Sequence, residues 1–122
     1  LLWCLYNEPE NFKQKAHSMP LLREVFRWAR EVNPSQPLSS PIWIYPGGHG
    51  TRSNLPIISF LGENCDVMTF HCYYGPEEME KFIAFMKQFD RPVICQEYMG
   101  RPRSTFEEIM PILKREKAGA IS

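Results

Sequence analysis

The chain has 122 residues, of which 43% are hydrophobic and 13% aromatic, and its fourteen basic and fourteen acidic side chains cancel to zero formal charge. That length and composition predict one globular domain with a core, spanning residues 1–122 without an internal boundary. The neutral charge argues against a nucleic-acid-binding or anionic-membrane-binding protein. No stretch approaches the ~20 apolar residues of a membrane span, and we recognise no targeting segment. A neutral partner is therefore expected.

The first predicted element is a buried apolar strand that begins at Trp3 and ends in Asn7-Glu8-Pro9. Pro9 cannot donate a hydrogen bond to a sheet, and it biases the residue before it away from helical geometry. The strand should therefore stop at this point. The Glu8 carboxyl is expected to face the space beyond the strand end.

A helix and a weaker strand are predicted next. Ser18-Met19-Pro20 has the composition of a helix start with Ser18 as the N-cap, and Asn33-Pro34 should end the helix. Its apolar stripe is predicted to comprise Leu22, Val25, Phe26, Ala29 and Val32, with Trp28 and Trp3 also assigned to the core. A second strand is expected at 37–45, followed by a Gly-rich loop at 46–50 and a short helix at 54–61.

The clearest strand is Asp66–Tyr73, which is apolar on both faces until His71, as expected for a strand covered on both sides. Period two places Val67, Thr69, His71 and Tyr73 on one face. A helix should open at Gly75-Pro76, and its predicted buried stripe is Met79, Phe82, Ile83 and Met86.

A second strand that ends in a glutamate is predicted at Pro92–Tyr98, where Glu97 takes the place that Glu8 has in the first strand. Ser104 and Thr105, each followed three residues later by a glutamate, predict two overlapping capping boxes for a last helix through Lys117, kinked at Pro111. Residues 118–122 have the pattern of a further strand. The regular alternation of strands and helices predicts an α/β fold with a parallel sheet.

The four cysteines form no CxxC pair, and three of them lie in predicted buried strands, where a thiol behaves as a small hydrophobe. A structural zinc site or a disulfide framework is not expected. The histidines in polar or Gly-rich loops, His17 and His49, are expected to be solvated.

With both glutamate strands in hand, the chain resembles the second half of the clan A glycoside hydrolases, retaining (β/α)8 barrels that include the family-five cellulases and mannanases. Asn7-Glu8-Pro9 resembles the end of the fourth barrel strand, His71-Cys72-Tyr73 the end of the sixth, and Gln96-Glu97-Tyr98 the end of the seventh. The run from Ser104 to Ile121 is similar to the segment that leads to the last strand. The resemblance covers nearly the whole chain.

The resemblance implies a partial (β/α)8 TIM barrel, about strands four to eight with intervening helices, in which the first three βα units and the end of the last strand are missing. A full barrel needs about 250 residues. It also implies hydrolysis of β-glycosidic bonds in a polysaccharide or oligosaccharide, no cofactor, and a secreted or periplasmic location. The chain alone is expected to be inactive and to self-associate through open sheet edges.

The resemblance further implies roles for individual residues. Glu8 would be the acid/base and Glu97 the nucleophile, with Asn7 contacting the sugar and Tyr73 supporting the nucleophile. His71 is carried over as a substrate-binding residue, and Trp43 is a candidate platform for a sugar ring. Sequence neighbours agree with this order, because Arg101 and Arg103 follow Glu97 and favour its charged form, whereas Glu8 follows apolar residues.

Each of these residues also has a simpler interpretation. Either glutamate could pair with an arginine at a strand end, and His71 could be a hydrogen-bonded core histidine. Asn7 could cap a turn, Tyr73 could serve packing, and Trp43 could anchor a loop.

Two other functions stay open on the sequence. A non-catalytic carbohydrate-binding or degenerate barrel relative is suggested by Gln96 and Cys4, which are not the commonest neighbours of such sites. A metal-dependent hydrolase could use His71 and Glu97 with His49 or Glu8, although the chain lacks HxH and HExxH spacing.

Overall fold

The computed structural model of the chain describes residues 2–10, 17–44, 46–47 and 55–121. In these ranges strands and helices alternate along the chain, as predicted. The strands are β1 (Trp3–Cys4), β2 (Leu38–Ser39), β3 (Met68–His71), β4 (Val93–Glu97) and β5 (Gly119–Ala120). The helices are α1 (Ser18–Val32), α2 (Leu55–Asn64), α3 (Pro76–Met86) and α4 (Phe106–Arg115), with a 3-10 turn at Lys87–Phe89.

The strands form two small parallel sheets, β1-β2 and β3-β4-β5. A single parallel bridge between Ile42 and Phe70 connects the segment after β2 to β3. Backbone hydrogen bonds from Ile42 N to Thr69 O and from His71 N to Ile42 O reinforce this contact. The prediction of an α/β fold with parallel strands is confirmed, and β1 and β5 lie at the two outer ends of this arrangement.

The core lies between the strands and the helices. The predicted α3 stripe is confirmed, because Met79, Phe82, Ile83 and Met86 are all buried. Strand β3 is buried along its whole length, also as predicted. All four residues of β3 are buried, so both faces of this strand are covered by other parts of the chain. Strand β3 is therefore the central strand around which the other elements pack.

Helix α1 ends as predicted, with Asn33 in the left-handed conformation that commonly follows a helix, but its start differs. Ser18 is the first helical residue, not the N-cap. Its backbone N–H and its hydroxyl both donate to Glu10 Oε1, at 3.0 and 3.1 Å. A carboxylate from the preceding loop therefore satisfies the helix N-terminus in place of a capping hydroxyl.

The prediction that Trp3 and Trp28 belong to the core is wrong. Their exposed fractions are 55% and 48%, and Val32, predicted to be in the buried stripe of α1, is 78% exposed. With Leu21 and Val25, Trp28 and Val32 form a second apolar stripe, about 90° around the helix from the buried residues Leu22 and Phe26. Val25 of this stripe packs against the core, whereas Leu21, Trp28 and Val32 are exposed on the outer flank of α1.

Strand β1 is shorter and more exposed than predicted. Only Trp3 and Cys4 pair with β2, and both are exposed, because among the described strands β1 has β2 as its one neighbour. The predicted burial of Cys4 is therefore wrong, whereas Cys65, Cys72 and Cys95 are buried. The predicted strand 37–45 is reduced to β2 and the Ile42 bridge, and the predictions for Tyr45, residues 48–50 and Asn54 lie outside the described residues.

One of the two predicted capping boxes is formed in part at the start of α4, because the Glu108 carboxylate accepts from the Thr105 hydroxyl where the box has the backbone N–H. Thr105 is the N-cap and accepts a hydrogen bond from Glu108 N, and its hydroxyl donates to Glu108 Oε2 at 2.9 Å. The Ser104 box is wrong, because the Ser104 hydroxyl donates to the Tyr98 carbonyl. Pro111 lies inside α4 as predicted. Within the described ranges no helix has both the length and the apolar character needed to cross a bilayer.

Candidate active site

Glu8 lies just beyond β1 in a conformation that is unusual for its residue type. Its φ is 45°, in the left-handed region, which few residues other than glycine adopt. Pro9 was expected to keep Glu8 out of helical geometry, and the backbone achieves this through a left-handed turn rather than an extended chain. The Ser40 hydroxyl donates to the Tyr6 carbonyl at 2.5 Å and so fixes the segment between β1 and Glu8. The Glu8 side chain is 13% exposed.

His71 is the last residue of β3, and its side chain is only 1% exposed. Its Nδ1 lies 2.6 Å from Glu8 Oε1, a short hydrogen bond in which either atom can carry the proton. Its Nε2 lies 3.5 Å from Glu97 Oε1. The imidazole therefore stands between two carboxylates, and the interpretation of His71 as a hydrogen-bonded core histidine is confirmed.

A β-bulge in β4 brings Glu97 beside His71. Thr69 pairs with Ile94 and Phe70 with Cys95, but His71 pairs with Glu97, so Gln96 is an extra residue. Without this extra residue the alternation of side chains would place Gln96 opposite His71 and turn Glu97 toward the helices. The bulge turns the end of the strand so that the Glu97 side chain points to the face that His71 occupies.

The Tyr73 hydroxyl donates to Glu97 Oε2. Gly100 packs directly against Tyr73. A Cβ atom added to Gly100 would lie 2.8 Å from the Tyr73 carbonyl oxygen and 2.9 Å from the Tyr73 Cβ. Only glycine allows the loop after β4 to approach Tyr73 so closely. The two oxygens of Glu97 thus face different partners, Oε2 the phenol and Oε1 the imidazole.

These contacts create one group of side chains, Glu8, His71, Tyr73 and Glu97, which we call the carboxylate–histidine cluster. Ligand atoms of Glu8, His71 and Glu97 all lie within 4.8 Å of one another. The side chains of His71 and Glu8 are largely shielded from water, whereas the Glu97 side chain is 46% exposed. The cluster is therefore closed behind and open on the Glu97 side, where a ligand could approach.

The other residues singled out from the sequence have no contact with the cluster among those the structure describes. Asn7 is exposed and precedes Glu8, and Trp43 is half-buried directly after the Ile42 bridge. The guanidinium of Arg103 lies over the Tyr74 ring at 5.6 Å, so this arginine is engaged with an aromatic side chain. His17 is exposed, as predicted, and His49 lies outside the described residues. The substrate contacts predicted for Asn7, His71 and Trp43 stay predictions.

The buried thiols are poor nucleophiles. Burial raises the pKa of Cys72 to about 11 and that of Cys65 to about 12, and it raises the pKa of Cys95 as well. Because the thiolate is the reactive form, these cysteines stay inert at neutral pH. Partial desolvation also raises the pKa of Cys4, and the charge of Glu97 adds to the shift.

Sequence reasoning missed three residues that shape the cluster. Gln96 is the bulge residue of β4, Ser40 donates a hydrogen bond to the Tyr6 carbonyl, and Gly100 packs against Tyr73. A glycine shortly after a strand is a sequence signal for a close backbone approach. The bulge and the Ser40 bond leave no comparable pattern in the sequence.

Comparison with protein-family models, with curated proteins and with solved structures finds no match to this chain.

Proposed function

We propose that the chain is the carboxyl-terminal part of a (β/α)8-barrel glycoside hydrolase that cleaves β-glycosidic bonds with retention of configuration. The observation that carries the proposal is the approach of two carboxylates from separate strand ends, Glu8 and Glu97, to within 4.8 Å. Retaining glycosidases hold their two carboxyl groups about 5–5.5 Å apart, whereas inverting enzymes need roughly 6.5–9.5 Å to accommodate a water molecule. The short separation supports the retaining class.

In this mechanism Glu97 attacks the anomeric carbon while Glu8 protonates the departing oxygen, and a covalent glycosyl-enzyme forms. Glu8 then removes a proton from water, which attacks the same carbon and releases Glu97. The Glu97 side chain is 46% exposed and that of Glu8 is 13% exposed. The greater exposure of Glu97 supports its role as the nucleophile, which must reach the anomeric carbon of the sugar. The hydrogen bond from Tyr73 to Oε2 orients the Glu97 carboxylate and leaves Oε1 as the attacking atom.

The mechanism requires a protonated Glu8 and an ionised Glu97, and the imidazole of His71 can form a hydrogen bond with each. A neutral imidazole carries one N–H and one lone pair. With the proton on Nε2, the N–H points toward ionised Glu97, and Nδ1 accepts a hydrogen bond from protonated Glu8. This tautomer is compatible with a protonated Glu8 and a charged Glu97 before the sugar binds. We assign His71 as a positioning residue, because its side chain is almost completely buried.

The stereochemical outcome tests this proposal. In a longer polypeptide that supplies the remaining βα units, we expect NMR to detect the β-anomer as the first product released from a β-glycoside. Release of the α-anomer first would contradict the retaining assignment, which rests on the short separation of the two carboxylates. Sugar binding without turnover would favour the alternative of a non-catalytic carbohydrate-binding relative.

The partial-barrel interpretation makes a separate prediction for the chain alone. The outer strands β1 and β5 are exposed, and Trp3, Trp28, Val32 and Ile121 are large apolar side chains at about half exposure or more. Unpaired strand edges beside apolar surface are templates for association. We expect sedimentation velocity to show concentration-dependent self-association of the chain. We expect an assay with a glycoside substrate to show no hydrolysis by it.

A matched pair of variants checks the cause of that association. Trp28→Lys should weaken it, whereas Glu31→Lys, on the charged face of the same helix, should not. A chain that stays monomeric at high micromolar concentration, melts cooperatively and hydrolyses a glycoside would contradict the partial-barrel proposal.

A further inference from the structure

We propose that the carboxylate–histidine cluster is also a binding site for a divalent first-row metal ion of the Zn²⁺ type. His71 Nε2 and Glu97 Oε1 would be the protein ligands, and Glu8 would hold the other ring nitrogen of His71. The proposal concerns binding. Only its consequence for catalysis rests on the proposed glycosidase function.

The distance between the two ligand atoms supports this site. His71 Nε2 and Glu97 Oε1 are 3.5 Å apart, a separation longer than a normal hydrogen bond. Two ligands that bind one tetrahedral Zn²⁺ at about 2.0–2.2 Å are themselves separated by about 3.4 Å. The atoms therefore already stand at the spacing that the ion requires.

The environment of His71 supports the same conclusion. A histidine that binds zinc usually donates its other N–H to a carboxylate, which fixes the ring and its tautomer. Glu8 occupies that position, with Oε1 2.6 Å from Nδ1. The Tyr73 bond orients the Glu97 carboxylate through its second oxygen. Imidazole and carboxylate ligands suit Zn²⁺ and its neighbours in the first transition row.

The cluster also offers an entry path and room for water ligands. Glu97 is 46% exposed, and His71 is 1% exposed, so an ion would reach the imidazole from the Glu97 side and keep solvent in its remaining positions. A negatively charged carboxylate pair within 4.8 Å favours a cation at this point.

Metal binding and the proposed hydrolysis require opposite tautomers of His71. The ion needs the lone pair of Nε2, which puts the proton on Nδ1 and leaves Glu8 as an ionised acceptor. Hydrolysis needs the proton on Nε2 and protonated Glu8. A bound ion would also occupy Oε1 of Glu97, the attacking atom. The ion would therefore act as a reversible inhibitor that competes with the glycoside.

Calorimetric titration of the 122-residue chain with zinc chloride tests the site without any activity measurement. We expect one equivalent to bind, and Glu97→Gln to weaken binding at least tenfold because a ligand is lost. Glu8→Gln should weaken it about 10–100-fold through the loss of its hold on His71. Two control variants, His17→Gln and Cys4→Ser, should bind as the parent does, since neither residue belongs to the cluster.

The opposing results are equally specific. Absence of zinc binding, equal affinity in Glu97→Gln and the parent, or loss of binding in Cys4→Ser would each overturn the proposed site. Glu97 is half-exposed, so Glu97→Gln is expected to fold, and circular dichroism checks this. Zinc binding without glycosidase activity would support the metal site and contradict the proposed function. Glycosidase activity without zinc binding would support the proposed function and contradict the metal site.

Discussion

Replacement of Glu97 by glutamine is expected to abolish hydrolysis in the longer polypeptide that completes the barrel. Removal of a catalytic nucleophile lowers kcat by about 10⁶-fold in well-studied covalent mechanisms, and we expect a loss approaching that size. The amide has the shape of the carboxylate, but it carries no charge and cannot form the glycosyl-enzyme. Steady-state rates with an activated aryl β-glycoside measure the effect.

The matched control for this variant is Glu63→Gln, which makes the same change on an exposed side chain near the end of α2. It should hydrolyse the substrate at the parent rate. Loss of an acid/base group lowers the rate by about 10²–10⁴-fold. If Glu97→Gln lowers kcat by less than about 10-fold, a tenth of the smallest of those losses, Glu97 is not the nucleophile.

Replacement of Glu8 by glutamine is expected to have the second-largest effect, and its size should depend on the leaving group. For a natural sugar leaving group, loss of the general acid should lower kcat/KM by about 10²–10⁴-fold. For an activated phenol that needs no proton to depart, the first step should be much less affected. The dependence arises because Glu8 acts on the departing oxygen and not on the sugar ring.

Rates with a series of aryl glycosides of decreasing phenol acidity measure this dependence. Glu10→Gln makes the same change two residues away and serves as the control, although it also weakens the contact with Ser18 at the start of α1. A uniform loss across the whole series in Glu8→Gln would contradict the acid/base role.

The regular elements of the fold could be predicted because their patterns are local. The stripe of α3 and the apolar run of β3 were predicted from spacing and lie buried in the structure. The alternation of elements predicted parallel strands, and the strands are parallel. Hydrophobic periodicity specifies which face of an element avoids water, and for central elements that is sufficient.

The errors concern elements at the margin of the structure. Trp3 and Trp28 are large apolar residues and were assigned to the core, yet both are about half-exposed. A sequence shows that a side chain is apolar but not whether another element lies against it. The same applies to Val32, which belongs to the apolar stripe on the outer flank of α1.

The cluster could be predicted only in part. Strand-end glutamates suggested that Glu8 and Glu97 face a common space, and the structure places them within 4.8 Å. The hydrogen bond between His71 and Glu8 was not predicted, because 63 residues separate them and the bond depends on the left-handed turn at Glu8. The bulge at Gln96 was also missed, since a register shift of one residue depends on both paired strands.

Mechanism-based trapping shows whether Glu97 forms a covalent bond to the sugar. The longer polypeptide would be treated with a 2-deoxy-2-fluoro glycoside that carries an activated leaving group, and its peptides would be mapped by mass spectrometry. The assignment of Glu97 as the nucleophile predicts one fluorosugar per protein, attached to Glu97 and absent in Glu97→Gln. A label on another residue, or active enzyme that accumulates no label, would contradict it.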